Sequence, residues 1–132
     1  RILAQQRENE FRWKAISERS KVGGIMFATN YLGVPVKVQF DHIRRLFMDE
    51  AEPRPATVAV ISIQINNRWV EIAQGSCIVH PNDLRHGVWS KASGRKIALT
   101  RALLNGKHEF CQSRVFRRHI WQEYFKRLGK VA

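Results

Sequence analysis

The sequence predicts a single α+β domain: an antiparallel sheet of about four or five strands, helices packed on it, and a basic helical C-terminal part. Three observations carry that expectation. The chain has 132 residues, 44% of them hydrophobic, which suits one domain with one core. Its middle, Thr57–Ile65, is β-branched and almost continuously apolar, and a second strand-like run follows Asn66-Asn67. Its end holds two segments, 93–105 and 113–128, whose apolar residues recur at helical spacing.

Residues 5–20 read as a charged helix, with Phe11, Trp13, Ala15 and Ile16 on its apolar side and Gly23-Gly24 ending it. Ile25–Ala28 is a short strand, and Asn30-Tyr31-Leu32-Gly33 a turn, since Asn and Gly accept unusual backbone angles. Val34–Phe40 alternates apolar and polar from Val36 onward and reads as a second strand. Pro35, with no N–H to donate, is confined to its first residues or to an edge. Asp41 is placed to cap a short helix through Ile43, Leu46, Phe47 and Met48, and Asp49–Pro55 is the clearest loop. Thr57–Ile65 and Arg68–Ala73 form a tight hairpin, because Asn66 and Asn67 both tolerate positive φ. Gly75 is expected at a bulge, with Ser76–Val79 continuing the strand or starting another. The pattern breaks at His80-Pro81-Asn82-Asp83, where Pro lacks a ladder donor and Asn and Asp favour turns.

Two helices finish the chain. Ser93 caps the first, Ile97, Ala98, Leu99, Ala102 and Leu103 give its apolar side, and Gly106 ends it after Asn105. In the second, Ser113–Leu128, Phe116, Ile120, Tyr124 and Leu128 keep strict i,i+4 spacing, and Arg118, His119, Gln122 and Lys126 fall opposite. There is no internal repeat, low-complexity tract or long linker.

Composition excludes several classes. No apolar run approaches the ~20 residues that a membrane-spanning helix needs. Arg1–Gln6 has neither the continuous apolar stretch nor the cleavage site of a signal peptide. Two cysteines, Cys77 and Cys111, are too few for a disulfide-built secreted scaffold, so reduced thiols are expected. The net charge of +12 points to a polyanionic partner. It is unevenly placed: residues 1–84 hold 11 Lys+Arg and 9 Asp+Glu, whereas residues 85–132 hold 12 and 2, a balance of +10. A merely soluble surface mixes its signs, so the C-terminal part is expected to carry a binding face.

Three sets of residues offer chemistry. Cys77-x-x-His80 and His108-x-x-Cys111 are mirrored pairs of the types that bind zinc, but residues three apart on an extended chain point to opposite faces. They stand as weak metal candidates, and no metal or other cofactor is expected. Asp41, His42, Glu50, Glu71 and His80 are of the types that hold Mg²⁺ or exchange protons, yet no diagnostic spacing joins them. A phosphate-binding loop and a serine nucleophile elbow are both missing, so no enzyme and no catalytic residue is predicted. The third set is the basic helical pair. Arg95, Arg101, Arg114, Arg117, Arg118, Lys126 and Arg127 are the predicted polyanion-binding residues, with Trp89, Trp121 and Phe125 interleaved. Exposed rings can stack on unpaired bases, but at these positions Trp121 and Phe125 are expected in the core. Neither helix has the turn that supports a major-groove reader, so contact with the backbone phosphates is expected.

His80-Pro81-x-Asp83, followed by Gly94-Arg95-Lys96-Ile97-Ala98-Leu99-x-Arg101-Ala102-Leu103, resembles an element of many small phage- or prophage-encoded accessory proteins. There a strand runs through a Pro-x-Asp turn into a Gly-Arg-x-x-Ala-x-x-Arg-Ala helix. The element is structural: Gly94 lets the helix start lie near a strand end, and Ala98 and Ala102 permit close helix–sheet contact. The resemblance implies a phage-type accessory protein acting in the host cytoplasm. Such proteins handle DNA or disable a host defence. The expected function is non-enzymatic binding of nucleic acid or a nucleoprotein complex. The alternative is an inhibitor or adaptor, of anti-CRISPR or anti-restriction type, contacting a host defence protein directly.

Overall fold

A computed structural model describes residues 25–45, 54–87 and 89–129. Strands β1 (Ile25–Tyr31), β2 (Val34–Arg45), β3 (Arg54–Ile65) and β4 (Arg68–Ile78) form one antiparallel sheet in chain order. Helices α1 (Pro81–His86), α2 (Lys91–Asn105), α3 (Glu109–Gln112) and α4 (Arg114–Leu128) follow. The α+β class and the helical C-terminal part agree with the sequence, and the described residues form four strands. The helix expected at 5–20 lies outside the described residues, as does Glu50.

Local chemistry sets the turns. Leu32 and Gly33 take φ of 50° and 79°, and Asn66 and Asn67 take 52° and 64°. Positive φ at both central residues gives the turn whose twist matches the flanking strands. β2 runs further than expected, because Asp41–Arg45 pairs with Arg54–Val58 instead of turning into a helix. An Asp cap stabilises a helix by only about 1 kcal/mol. Strand pairing beside Ala56 and Val58 also buries Ile43, which outweighs it. The rest of that expected helix, 46–48, lies outside the described residues. The bulge falls at Ile72 and not at Gly75: Ile61 faces Ala73 while Ser62 faces Glu71.

Gly75 instead seats α2. A Cβ at this position would run into the backbone of Ala98, Arg101 and Ala102, so the helix axis rests directly on the strand. Ala98 and Ala102, both fully buried, give the matching low ridge on the helix. Gly94 repeats the device on β3, where an added Cβ would lie 2.6 Å from Thr57 Oγ1. The helix begins earlier than expected. Ser90 is the cap, its hydroxyl accepting the Ser93 N–H at 3.1 Å. Gly106 ends it with φ −64°, so its small size matters here, for a Cβ would lie 2.6 Å from Cys111 Sγ.

The main core lies between the helices and one sheet face. Phe27, Val36, Val38, Phe40, Ile61 and Ile63 meet Leu99 and Leu103 of α2 and Phe116, Ile120, Tyr124 and Leu128 of α4. The i,i+4 stripe of α4 is buried along its whole length, as its spacing predicts. A smaller cluster, Ile43, Ala56 and Val58 with Val60 and Ile78, forms on the other face. Tyr31 at the end of β1 anchors the C-terminal elements, with ring centroids 5.3 Å from Phe110 and 5.0 Å from Phe116. No helix among the described residues is long and apolar enough to cross a membrane.

Candidate functional site

α2 and α4 flank a groove of about 300 Å³. Thr100, Leu103 and Leu104 form one wall, and Arg114, Arg117, Arg118 and Trp121 the other. The apolar stripe of α4 dictates this arrangement. Once Phe116, Ile120, Tyr124 and Leu128 face the sheet, Arg114, Arg118, Trp121 and Phe125 fall along the adjacent side, toward α2. The groove-lining residues include three guanidinium groups and no carboxylate.

Arg117 is held in place, its Nη1 donating to the Cys111 carbonyl at 2.8 Å. Arg114 and Arg118 are exposed. Trp121, which lines the groove, carries Phe125 one turn further along α4. Phe125, expected in the core, is 53% exposed. It stacks on half-buried Trp121 with centroids 5.8 Å apart and planes at 27°. Lys96 of α2 reaches across with its Nζ 5.8 Å from the Phe125 centroid.

The remaining predicted cations do not join this groove. Arg101, exposed on α2, donates Nη1 to the Ser76 carbonyl at 2.8 Å and so leans over β4. Lys126 is exposed on α4 but does not line the groove. Arg127 lies on the opposite side of α4, its Nε 3.1 Å from Glu123 Oε2. That hydrogen bond holds the Glu123 carboxyl below its ordinary range. Arg127 and Glu123 line a separate cleft of about 490 Å³ with Thr29, Asn30, Trp69 and His119. Thr29 Oγ1 and His119 Nε2 are 3.1 Å apart there, which ties α4 to β1.

Arg95, expected among the polyanion-binding residues, lies inside the fold. It is 1% exposed and sits with Leu99 and Leu103 on the buried side of α2, so it presents no surface charge to a partner. Its guanidinium belongs to an internal polar group with His42 of β2, whose Nδ1 is 3.0 Å from Thr57 Oγ1. Among the described residues, buried His42 Nε2 finds no hydrogen-bond partner. Burial, then the charges of Arg95 and Lys91, depress the His42 pKa, with Asp41 opposing them.

The weak metal candidates have other employment. His80 Nδ1 accepts the Asn82 N–H, and His108 Nδ1 accepts the Phe110 N–H to cap α3, both at 3.1 Å. Cys77 and Cys111 are buried free thiols whose pKa burial raises. Among the described residues no group of three or more His, Cys, Asp or Glu is placed to hold a metal ion. Asp41 and His42 are adjacent on a strand and so face opposite sides of the sheet.

Comparison of the chain with known protein families, curated proteins and solved structures yields no match.

Proposed function

We propose that this is a non-enzymatic protein that binds nucleic acid, free or within a nucleoprotein complex, through the groove between α2 and α4. The observation that supports the reading most is the lining of that groove: among the described residues it holds Arg114, Arg117 and Arg118 and no carboxylate. Phosphate oxygens need such donors, and guanidinium forks meet them bidentately. The balance of +10 over residues 85–132 favours the same partner at longer range. In this reading Arg101 and Lys126 steer the polyanion toward the helices, and the phage-type resemblance sets the protein in a host cytoplasm.

Binding to DNA and RNA oligonucleotides, titrated with salt, tests the proposal. Log affinity is expected to fall linearly with log salt, by about 0.7–0.9 per phosphate contact. Arg114→Glu with Arg118→Glu removes two contacts. The slope is then expected to shrink by about 1.5 while the fold is retained. Binding absent at low salt, or indifferent to salt, refutes the reading. A stable complex with a protein from nuclease-treated lysate, without binding to free nucleic acid, transfers the groove to an inhibitor of a host defence protein.

A further inference from the structure

We infer that the groove takes single-stranded nucleic acid, with one unpaired base seated on the Phe125–Trp121 platform. The inference rests on the polyanion-binding reading above and adds the strandedness of the ligand.

The platform is unlike an ordinary surface aromatic. Phe125 is 53% exposed on a charged helix. Its orientation is nevertheless fixed from two sides. Trp121 stacks on it at 27°, and Tyr124 meets its edge at 82° with centroids 5.3 Å apart. Trp121 is in turn fixed edge-on by buried Tyr124, at 79° and 5.5 Å. A ring held this way loses little freedom when a flat ligand settles on it, so most of the stacking energy survives as affinity.

The cations are spaced to suit a strand. Arg114, Arg118, Trp121 and Phe125 follow at i, i+4, i+7 and i+11, a line of roughly 16 Å along α4. Phosphates thus meet the guanidinium end while a base meets the rings. Lys96 stands over Phe125 on a flexible, exposed stem. A base displaces its ammonium from the ring, and the ammonium moves to the neighbouring phosphate. A duplex gains only half of this. Its internal bases are already stacked on both faces, so away from the two ends the platform meets no free π-face and only the phosphate contacts remain.

The test compares a mixed-sequence single-stranded 12-mer, as DNA and as RNA, with a blunt duplex of the same length at one salt concentration. The single strands are expected to bind at least about tenfold tighter. Phe125→Ala is expected to weaken single-strand binding by about 5- to 100-fold and duplex binding by less than about threefold. Phe125→Leu keeps the apolar volume without the ring and is expected to behave as Phe125→Ala, with circular dichroism confirming the fold of both. Equal affinity for single strand and duplex, with no effect of either variant but loss in Arg114→Glu/Arg118→Glu, overturns the inference and leaves the polyanion reading intact. No binding of any oligonucleotide at low salt overturns both. A Phe125→Leu variant that binds single strands like the wild type also overturns it, because the groove then needs only an apolar side chain.

Discussion

Gly75→Ala is the smallest change that tests how α2 sits on the sheet. The added Cβ meets helix backbone, including the Arg101 carbonyl carbon at 2.8 Å, and no flexible side-chain end that could swing aside. The Ala102 nitrogen and Ala98 oxygen lie closer still, so restoring even the tight end of ordinary contact, 3.4 Å, moves the helix away by about 1 Å. That shift loosens Ala98, Leu99, Ala102 and Leu103 together, all of them buried against β3 and β4. Overpacking of a core costs about 1–3 kcal/mol, and an unyielding backbone neighbour puts this case at the upper end, about 3 kcal/mol. For a chain of this size that lowers Tm by roughly 12 °C. Gly33→Ala is the control: it faces open space but has φ +79°, so it carries only backbone strain, about 1–2 kcal/mol. Both are read by thermal unfolding followed by circular dichroism. A Gly75→Ala protein as stable as wild type, or more stable than Gly33→Ala, refutes the close seating of α2 on β4.

Three further outcomes follow from the same structure. The His42 pKa is depressed, so as pH falls below about 6.5 the unfolded chain takes up a proton that the folded ring refuses. Stability is therefore lost on the acid side, by at most about 1.4 kcal/mol per pH unit for this group, and melting at several pH values should show His42→Gln to be less pH-sensitive. Arg95→Ala is expected to destabilise the protein by about 2 kcal/mol in urea, while Arg118→Ala changes stability by less than about 0.5 kcal/mol. Equal effects would mean that the two arginines are not divided between interior and surface. Replacing Asn66-Asn67 by Ala-Ala is expected to cost about 2 kcal/mol, whereas Asn67→Gly is tolerated; denaturant midpoints decide it.

Much of the fold was legible where one local signal acted alone. The Asn66-Asn67 turn and the buried stripe of α4 needed only backbone preference and helical spacing. Where two signals competed, the nonlocal one prevailed. Asp41 is a good cap, but β3 offered a partner for its whole segment, and a cap cannot report that. Gly75 marked a special backbone position, yet its reason lay in a helix more than twenty residues away in sequence. In the candidate site, the charge of the C-terminal part was plain and its division was not. Arg95 shares i,i+4 spacing with Leu99 and Leu103, so its burial was written in the sequence but masked by its charge. Phe125 shows the converse, an apolar residue on the surface. It lies one residue after Tyr124, off the stripe, and its hydrophobicity alone suggested the core.

The order of the elements also has a consequence for synthesis. All four strands are present once Ile78 has been made, and neighbours in the sheet are neighbours in the chain, so the meander can pair early. Among the described residues its cover comes from α2 and α4. At ribosomal rates of about 5–20 residues per second, some fifty residues separate the finished sheet from the end of α4, a delay of roughly 3–10 s. Through that interval Phe27, Val36, Val38, Phe40 and Ile61 are without the α2 and α4 side chains that they meet in the folded core. A nascent chain stalled between β4 and α4 is therefore expected to be held by chaperones that bind apolar surface, and to be released once α4 clears the exit tunnel.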